Sequence, residues 1–132
     1  MKTYTSKSGF TLVEIMIVVA IIALLASIAV PSFLRARKRS QASKILNDLR
    51  MVDSAVDQYA IETNRGSGFA PTFTDVKSYL KPGTVLYNTG KDLFGNSFVV
   101  PTVDSLPSVP TSSFNTLSDV APSDFWSPYR TP

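Results

Sequence analysis

The sequence contains neither cysteine nor histidine. Without thiols, no disulfide can brace a small domain, and the redox compartment cannot be read from cysteine usage. Without imidazole, the commonest general base and the commonest metal ligand are missing. Zinc centres and Ser-His or Cys-His catalysis are therefore excluded by inventory. There is also no glycine-rich phosphate loop, no nucleophile elbow and no metal-spaced cluster, and the carboxylates are scattered rather than paired for acid–base work. Charge is scarce as well along one long stretch, residues 10–34 (FTLVEIMIVVAIIALLASIAVPSFL), where Glu14 is the single charged side chain.

What is present divides the chain into four pieces. Residues 1–9 (MKTYTSKSG) are short, polar and basic. Residues 10–34 form the apolar run. As a helix rising 1.5 Å per residue it would be about 37 Å long, enough to cross a hydrocarbon layer of roughly 30 Å. In residues 35–64, Ala42, Ile45, Leu46, Leu49, Val52, Val56, Tyr59 and Ala60 recur at three- and four-residue steps. This predicts an amphipathic helix with Lys44, Asp48, Asp53 and Asp57 facing solvent. The run Asn64-Arg65-Gly66-Ser67-Gly68 should stop it near Thr63, with glycine in the left-handed cap conformation. One continuous helix from Phe10 to about Thr63 is expected.

Residues 65–132 remain for a small head. Roughly 70 residues make a marginal core, which must lean on the helix or on neighbours. A short helix is expected over Asp75–Leu80, capped by Thr74 and ended by Pro82-Gly83. Thr84–Tyr87 and Ser97–Val100 read as short strands of an antiparallel hairpin, with turn residues between them. The tail beyond carries Pro101, Pro107, Pro110, Pro122 and Pro128. It should be irregular, with a short helix near Phe114–Leu117 and its aromatics pinned to the surface. The fold class is thus α+β: a long N-terminal helix packed on a small head.

The net charge of +3 conceals a polarity. Lys2 and Lys7 lie at the start. Arg35, Arg37, Lys38, Arg39, Lys44 and Arg50 crowd a basic neck containing one acid, Asp48. From Met51 onward five bases face eight acids. The neck lacks interleaved aromatics, so no nucleic-acid partner is expected. Contact with anionic lipid headgroups, pairing with acids on neighbouring helices and simple solvation are all open to it.

From the residues alone, a basic start before an apolar run also fits a secretory signal or a plain signal anchor. Ala26-Ser27-Ile28-Ala29 offers small residues for a cut. Against this, the run is long, it continues into the amphipathic helix without a turn, and a carboxylate near its start has no role in a signal peptide. Glu14 in a membrane is expensive unless paired, or else sits at the headgroup boundary.

Lys7-Ser8-Gly9-Phe10-Thr11-Leu12-Val13-Glu14 resembles the prepilin signal of type IV pilins and type II secretion pseudopilins, and the likeness runs to about residue 60. The resemblance implies cleavage after Gly9 by a prepilin peptidase, N-methylation of the new terminus Phe10, and subunit assembly in which Glu14 pairs with that amine on a neighbour. It also implies a helix kink at Pro31, where proline deletes a helical hydrogen bond. Family members often carry a glycine in mid-run; here Ala23 stands there, favouring helix by about 0.8–1.0 kcal/mol. The implied topology is a single pass through the bacterial inner membrane, leader cytoplasmic and head periplasmic. The positive-inside rule would place the richer neck in the cytoplasm instead; we take the orientation from the motif.

In the head, Asp92-Leu93-Phe94-Gly95-Asn96-Ser97-Phe98 resembles the Asp-Pro-Trp-Gly-Asn-Pro-Tyr segment of major pseudopilins, although a hairpin turn flanked by aromatics would look the same. The absence of cysteine fits that branch, because type IVa pilins usually close a C-terminal loop with a disulfide. The resemblance raises calcium as a ligand of the C-terminal loop, with Asp104, Asp119 and Asp124 as candidate donors. The family's Gly-Ala-Asp-Gly-like run is missing, so no metal residue is assigned. The implied function is structural, not enzymatic: a homo-oligomeric filament subunit, a major pseudopilin that drives protein export. Its implied partners are the peptidase/methyltransferase, an inner-membrane assembly platform, minor pilins and, before assembly, membrane lipids. A type IV pilin for adhesion, motility or DNA uptake is the sibling reading. A monomeric, signal-anchored binding module is the reading from another class.

Overall fold

The computed structural model describes Met1 and residues 8–132; Lys2 and Lys7 of the basic leader lie outside the described residues. The chain forms two compact units, residues 1–36 and 37–132. Helix α1, Leu12–Thr63, contributes to both.

In the first unit α1 carries Leu12 to Ala36. Every large apolar side chain from Leu12 to Leu34 is exposed within the chain, so this unit has no core of its own. The segment is long and apolar enough to cross a membrane. A helix meets what a lipid environment demands, because it pairs backbone donors and acceptors within the segment itself; Ala, Leu and Met favour it, whereas the many β-branched Ile and Val residues add little intrinsic preference. Ser27 Oγ donates to the Leu24 carbonyl at 2.6 Å, which removes its polar cost on an apolar surface.

The second unit is built around the rest of α1. Ala42, Ile45, Leu46, Leu49, Val52, Ala55, Val56 and Ala60 are buried. This is the expected stripe, widened by Ala55, with Tyr59 half-buried at its edge. Asp48 departs from expectation: it is buried at 5% exposure rather than solvent-facing. The covering head is wider than the apolar stripe and takes in its flank. Lys44 stands 3.8 Å from the Asp48 carboxylate. Helix α1 ends after Thr63, as expected, but the left-handed residue is Asn64 (φ 54) and not a glycine. The Arg65 N–H reaches back to the Ala60 carbonyl at 2.9 Å, the bond of a Schellman cap.

Across α1 lie α2 (Phe73–Val76) with a 3-10 turn Lys77–Tyr79, α3 (Val85–Thr89), α4 (Thr111–Leu117) and a 3-10 turn Ser123–Trp126. The first of these helices starts two residues before the expected one. The Asp75 carboxylate accepts from the Thr72 N–H at 2.8 Å and the Thr72 hydroxyl at 2.7 Å, so Thr72 rather than Thr74 is the cap. Val76, Leu80, Leu86, Phe98, Val103, Val109, Leu117, Ala121, Trp126 and Tyr129 complete the core.

The expected hairpin is not there. Among the described residues the only β pairings are two isolated bridges, Lys91 with Ser97 and Ser108 with Arg130. Thr84–Tyr87, read as a strand, enters α3, because the Thr84 hydroxyl accepts from the Tyr87 N–H at 3.1 Å and Gly90 closes the helix at φ 66. With its partner coiled, Ser97–Val100 has no ladder to join and stops at Pro101. The head is therefore helices and tied loops, not α+β. The Pro-rich tail is pinned as expected: Trp126 is fully buried with its indole N–H on the Ala121 carbonyl at 3.0 Å.

Candidate functional site

The start of α1 is built by a capping box that the Thr-x-x-Glu spacing of residues 11–14 could have revealed and that the motif reading passed over. Glu14 Oε2 accepts from the Thr11 N–H at 2.6 Å and from Thr11 Oγ1 at 2.9 Å. The Glu14 N–H returns to Thr11 Oγ1 at 3.3 Å. The helix thus begins with an acid in its first turn, where the macrodipole favours negative charge. Only one oxygen of Glu14 is used in this box. Phe10, 87% exposed, stands just outside it. A side chain added at Gly9 would meet nothing within 4 Å. Pro31 lies inside α1, and the helix is continuous through it.

The basic neck separates into two kinds of residue. Lys38 pairs with Asp119 at 2.9 Å. Arg39 donates to the Val120 carbonyl at 2.9 Å and lies 4.8 Å over the Phe125 ring. Both are thus tied to the tail of the head, a role that charge counting missed because the partners are 81 residues away. Arg35 and Arg37 are exposed and make no hydrogen bond or ion pair among the described residues.

The stretch Asp92–Phe98 holds a buried polar knot. Asp92 Oδ1 accepts from the backbone N–H groups of Phe94 and Asn96, each at 2.9 Å. Its Oδ2 accepts from the Ser113 hydroxyl, to which the Asn96 side-chain amide also donates at 2.8 Å. At 1% exposure Asp92 is a structural anchor tying this turn to α4. The candidate calcium donors do not converge. Asp119 is committed to Lys38, and among the described residues no group of three His, Cys, Asp or Glu side chains is placed to hold a metal.

A lipid-length apolar helix, opened by a capped carboxylate behind a Gly-Phe junction and carrying a small head, is the build of a pilin-like subunit. The family model described as the prokaryotic N-terminal methylation motif matches residues 4–30. The chain is 30% identical over 107 residues to the type II secretion system core protein G of Vibrio cholerae, covering 74% of this chain and 73% of that one. It is 45% identical over 62 residues to the type IV major pilin protein PilA of Myxococcus xanthus, covering 47% of this chain and 28% of the relative. It is 36% identical over 59 residues to the type II secretion system core protein G of Aeromonas hydrophila, covering 45% and 41%. The chain thus spans less than half the length of the latter two. No solved structure matches it. The chain belongs to the pilin-like prepilin family that holds the type II secretion core protein G and the type IV pilins. That family consists of structural subunits, not enzymes.

Proposed function

We propose that this chain is the major pseudopilin of a type II secretion system, a filament subunit whose polymerisation drives protein export. The observation that carries the proposal is a likeness to a core protein G that covers 74% of the chain and so extends into the head, joined to an apolar half-helix with no burial inside its own chain. Such a surface needs lipid or the helices of other subunits.

In this reading the prepilin peptidase cuts after Gly9 and methylates Phe10. The free subunit imposes no glycine at position 9, since a side chain there has open space. The demand for a small residue then belongs to the peptidase's cleft. Cleavage leaves a cation at Phe10. In the isolated subunit Thr11 satisfies Glu14 Oε2, and Oε1 stays open to the Phe10 amine of a neighbouring subunit. Pro31 provides a weak point in the helix for bending during packing. Before assembly the subunit crosses the inner membrane with its leader cytoplasmic and its head periplasmic. An assembly platform and minor pilins then receive it, and the motor that powers extrusion lies elsewhere.

Mass spectrometry of the mature chain tests processing: loss of residues 1–9 with a methyl on Phe10 is expected, and an intact leader would instead indicate a signal-anchored binding module. A deletion strain tests the machine: secreted enzymes should be retained while surface fibres persist. Loss of surface fibres with normal secretion would favour the type IV pilin reading, to which the identity with the Myxococcus pilin lends weight.

A further inference from the structure

On the second unit, a groove of about 600 Å³ runs beside the end of α1, bordered by Asp57, Ile61, Asn64, Ser67, Val103 and Asp104. Its lining is mostly polar and sets two carboxylates, Asp57 and Asp104, beside the aliphatic Ile61. Ile61 is 81% exposed, whereas Ile45, Leu46, Leu49, Val52 and Val56 on the same part of α1 are buried. Asp57 and Asp104 make no hydrogen bond or ion pair among the described residues. Arg65, also on the rim, is drawn onto the Phe69 ring at 4.5 Å.

The same chain carries the complement. Lys38 and Arg39 are spent on the head, whereas exposed Arg35 and Arg37 are uncommitted and follow the exposed apolar pair Phe33 and Leu34. Two open carboxylates beside exposed Ile61 and two open arginines after exposed Phe33 and Leu34 are opposite in charge sign, and each set carries apolar surface next to its charge. Arg37 and Asp57 are 20 residues apart on one helix, about 30 Å at 1.5 Å per residue. They cannot meet within a chain. An antiparallel pair could satisfy both patches reciprocally and close, but subunits anchored in one membrane stand parallel, and parallel copies can join a patch to its complement only head-to-tail, the contact that builds an open filament.

We infer that the Ile61 groove of one subunit receives the Arg35–Arg37 neck of a second copy, displaced along the filament by about 30 Å. The inference rests on the filament reading and adds the surface and offset by which heads engage necks. It also gives the neck a use that the positive-inside rule does not.

Because the chain lacks cysteine, a disulfide test is clean. Ser40→Cys with Ser67→Cys keeps every charge, alters two exposed positions, and places thiols too far apart for a bridge within one chain. Oxidised filaments of full-length chain from cells should give a ladder of covalent multimers, and each single variant should not. Independently, Arg37→Asp or Asp57→Lys should cut sedimentable filament by about tenfold, and the two together should restore it to within about twofold. Wild-type filaments with no ladder, and reversals that assemble normally, would overturn the inference and leave the filament reading standing. Reversals that lower yield without mutual rescue or a ladder would show that the groove holds a different protein or lipid, and would overturn it too. A processed wild-type chain that never sediments would refute the filament reading itself, and this inference with it.

Discussion

The carboxylate of Asp92 offers a sharp test of how the head is held together. Its two oxygens divide the labour: Oδ1 takes two backbone N–H groups and Oδ2 takes the Ser113 hydroxyl. Asp92→Ala orphans three donors in a site with 1% exposure. Hydrogen bonds to a charged group contribute about 1.5–3 kcal/mol each, and their losses overlap, so a total of about 3–5 kcal/mol is expected. Asp92→Asn behaves differently. Its amide oxygen can keep both backbone bonds, and its NH2 can donate to Ser113 Oγ, leaving only the serine proton to be rehoused. That should cost about 1 kcal/mol. For a unit of this size, 1 kcal/mol shifts Tm by about 4–8 °C. Asparagine should therefore lower Tm by about 5 °C and alanine by at least about 12 °C. Trp126 is the sole tryptophan and is fully buried, so its fluorescence in detergent-solubilised full-length chain reports head unfolding without interference from the membrane segment. If the two variants melt within about 2 °C of each other, the Asp92 carboxylate does not anchor the turn to α4.

Three further outcomes follow from the same geometry. Glu14→Ala should leave cleavage after Gly9 intact and abolish or slow filament assembly; normal filament yield, scored by shearing and sedimentation, would sink the pairing with Phe10. Burial lifts the Asp48 carboxyl above the ordinary carboxylate value, against the pull of Lys44 and with a smaller push from Asp92. The folded state therefore prefers it protonated, and its ionised form costs stability at neutral pH. Asp48→Asn should stabilise the head by about 1 kcal/mol at pH 7. That gain should shrink as pH falls through the raised folded pKa and vanish below 3.8, as chemical denaturation across pH would show; a gain that grows toward acid pH would contradict it. Gly90→Ala should destabilise the head, since φ is +66 and the new Cβ would lie 3.3 Å from the Phe73 ring. The left-handed backbone alone costs about 1–2 kcal/mol, and an unchanged melting temperature would refute that reading.

The long helix was legible because its signals are local and repeated. An unbroken apolar run, a three-four stripe and a polar break at Asn64 each act over a few residues. The start of the helix was equally local, yet the Thr11–Glu14 box was missed because the acid was read for a neighbour's charge and not for its own cap. The head resisted reading. Thr84–Tyr87 has strand-like composition, but a threonine cap and Gly90 coil it, and short segments follow their caps more than their propensity. Asp48 satisfied the solvent-face pattern, and only the width of the covering head buried it.

The sequence by itself determined that this chain has a lipid-length helix, a pilin-type processing motif and neither imidazole nor thiol side chains. Those properties rest on inventory and on short-range periodicity, which no fold can alter. Tertiary structure alone decided which charges are free. Lys38, Arg39 and Asp92 are consumed by partners distant in the chain, whereas Arg37 and Asp57 are left open. A charge pairs with whatever packing brings within a few ångströms, and that neighbour is not written beside it in the chain.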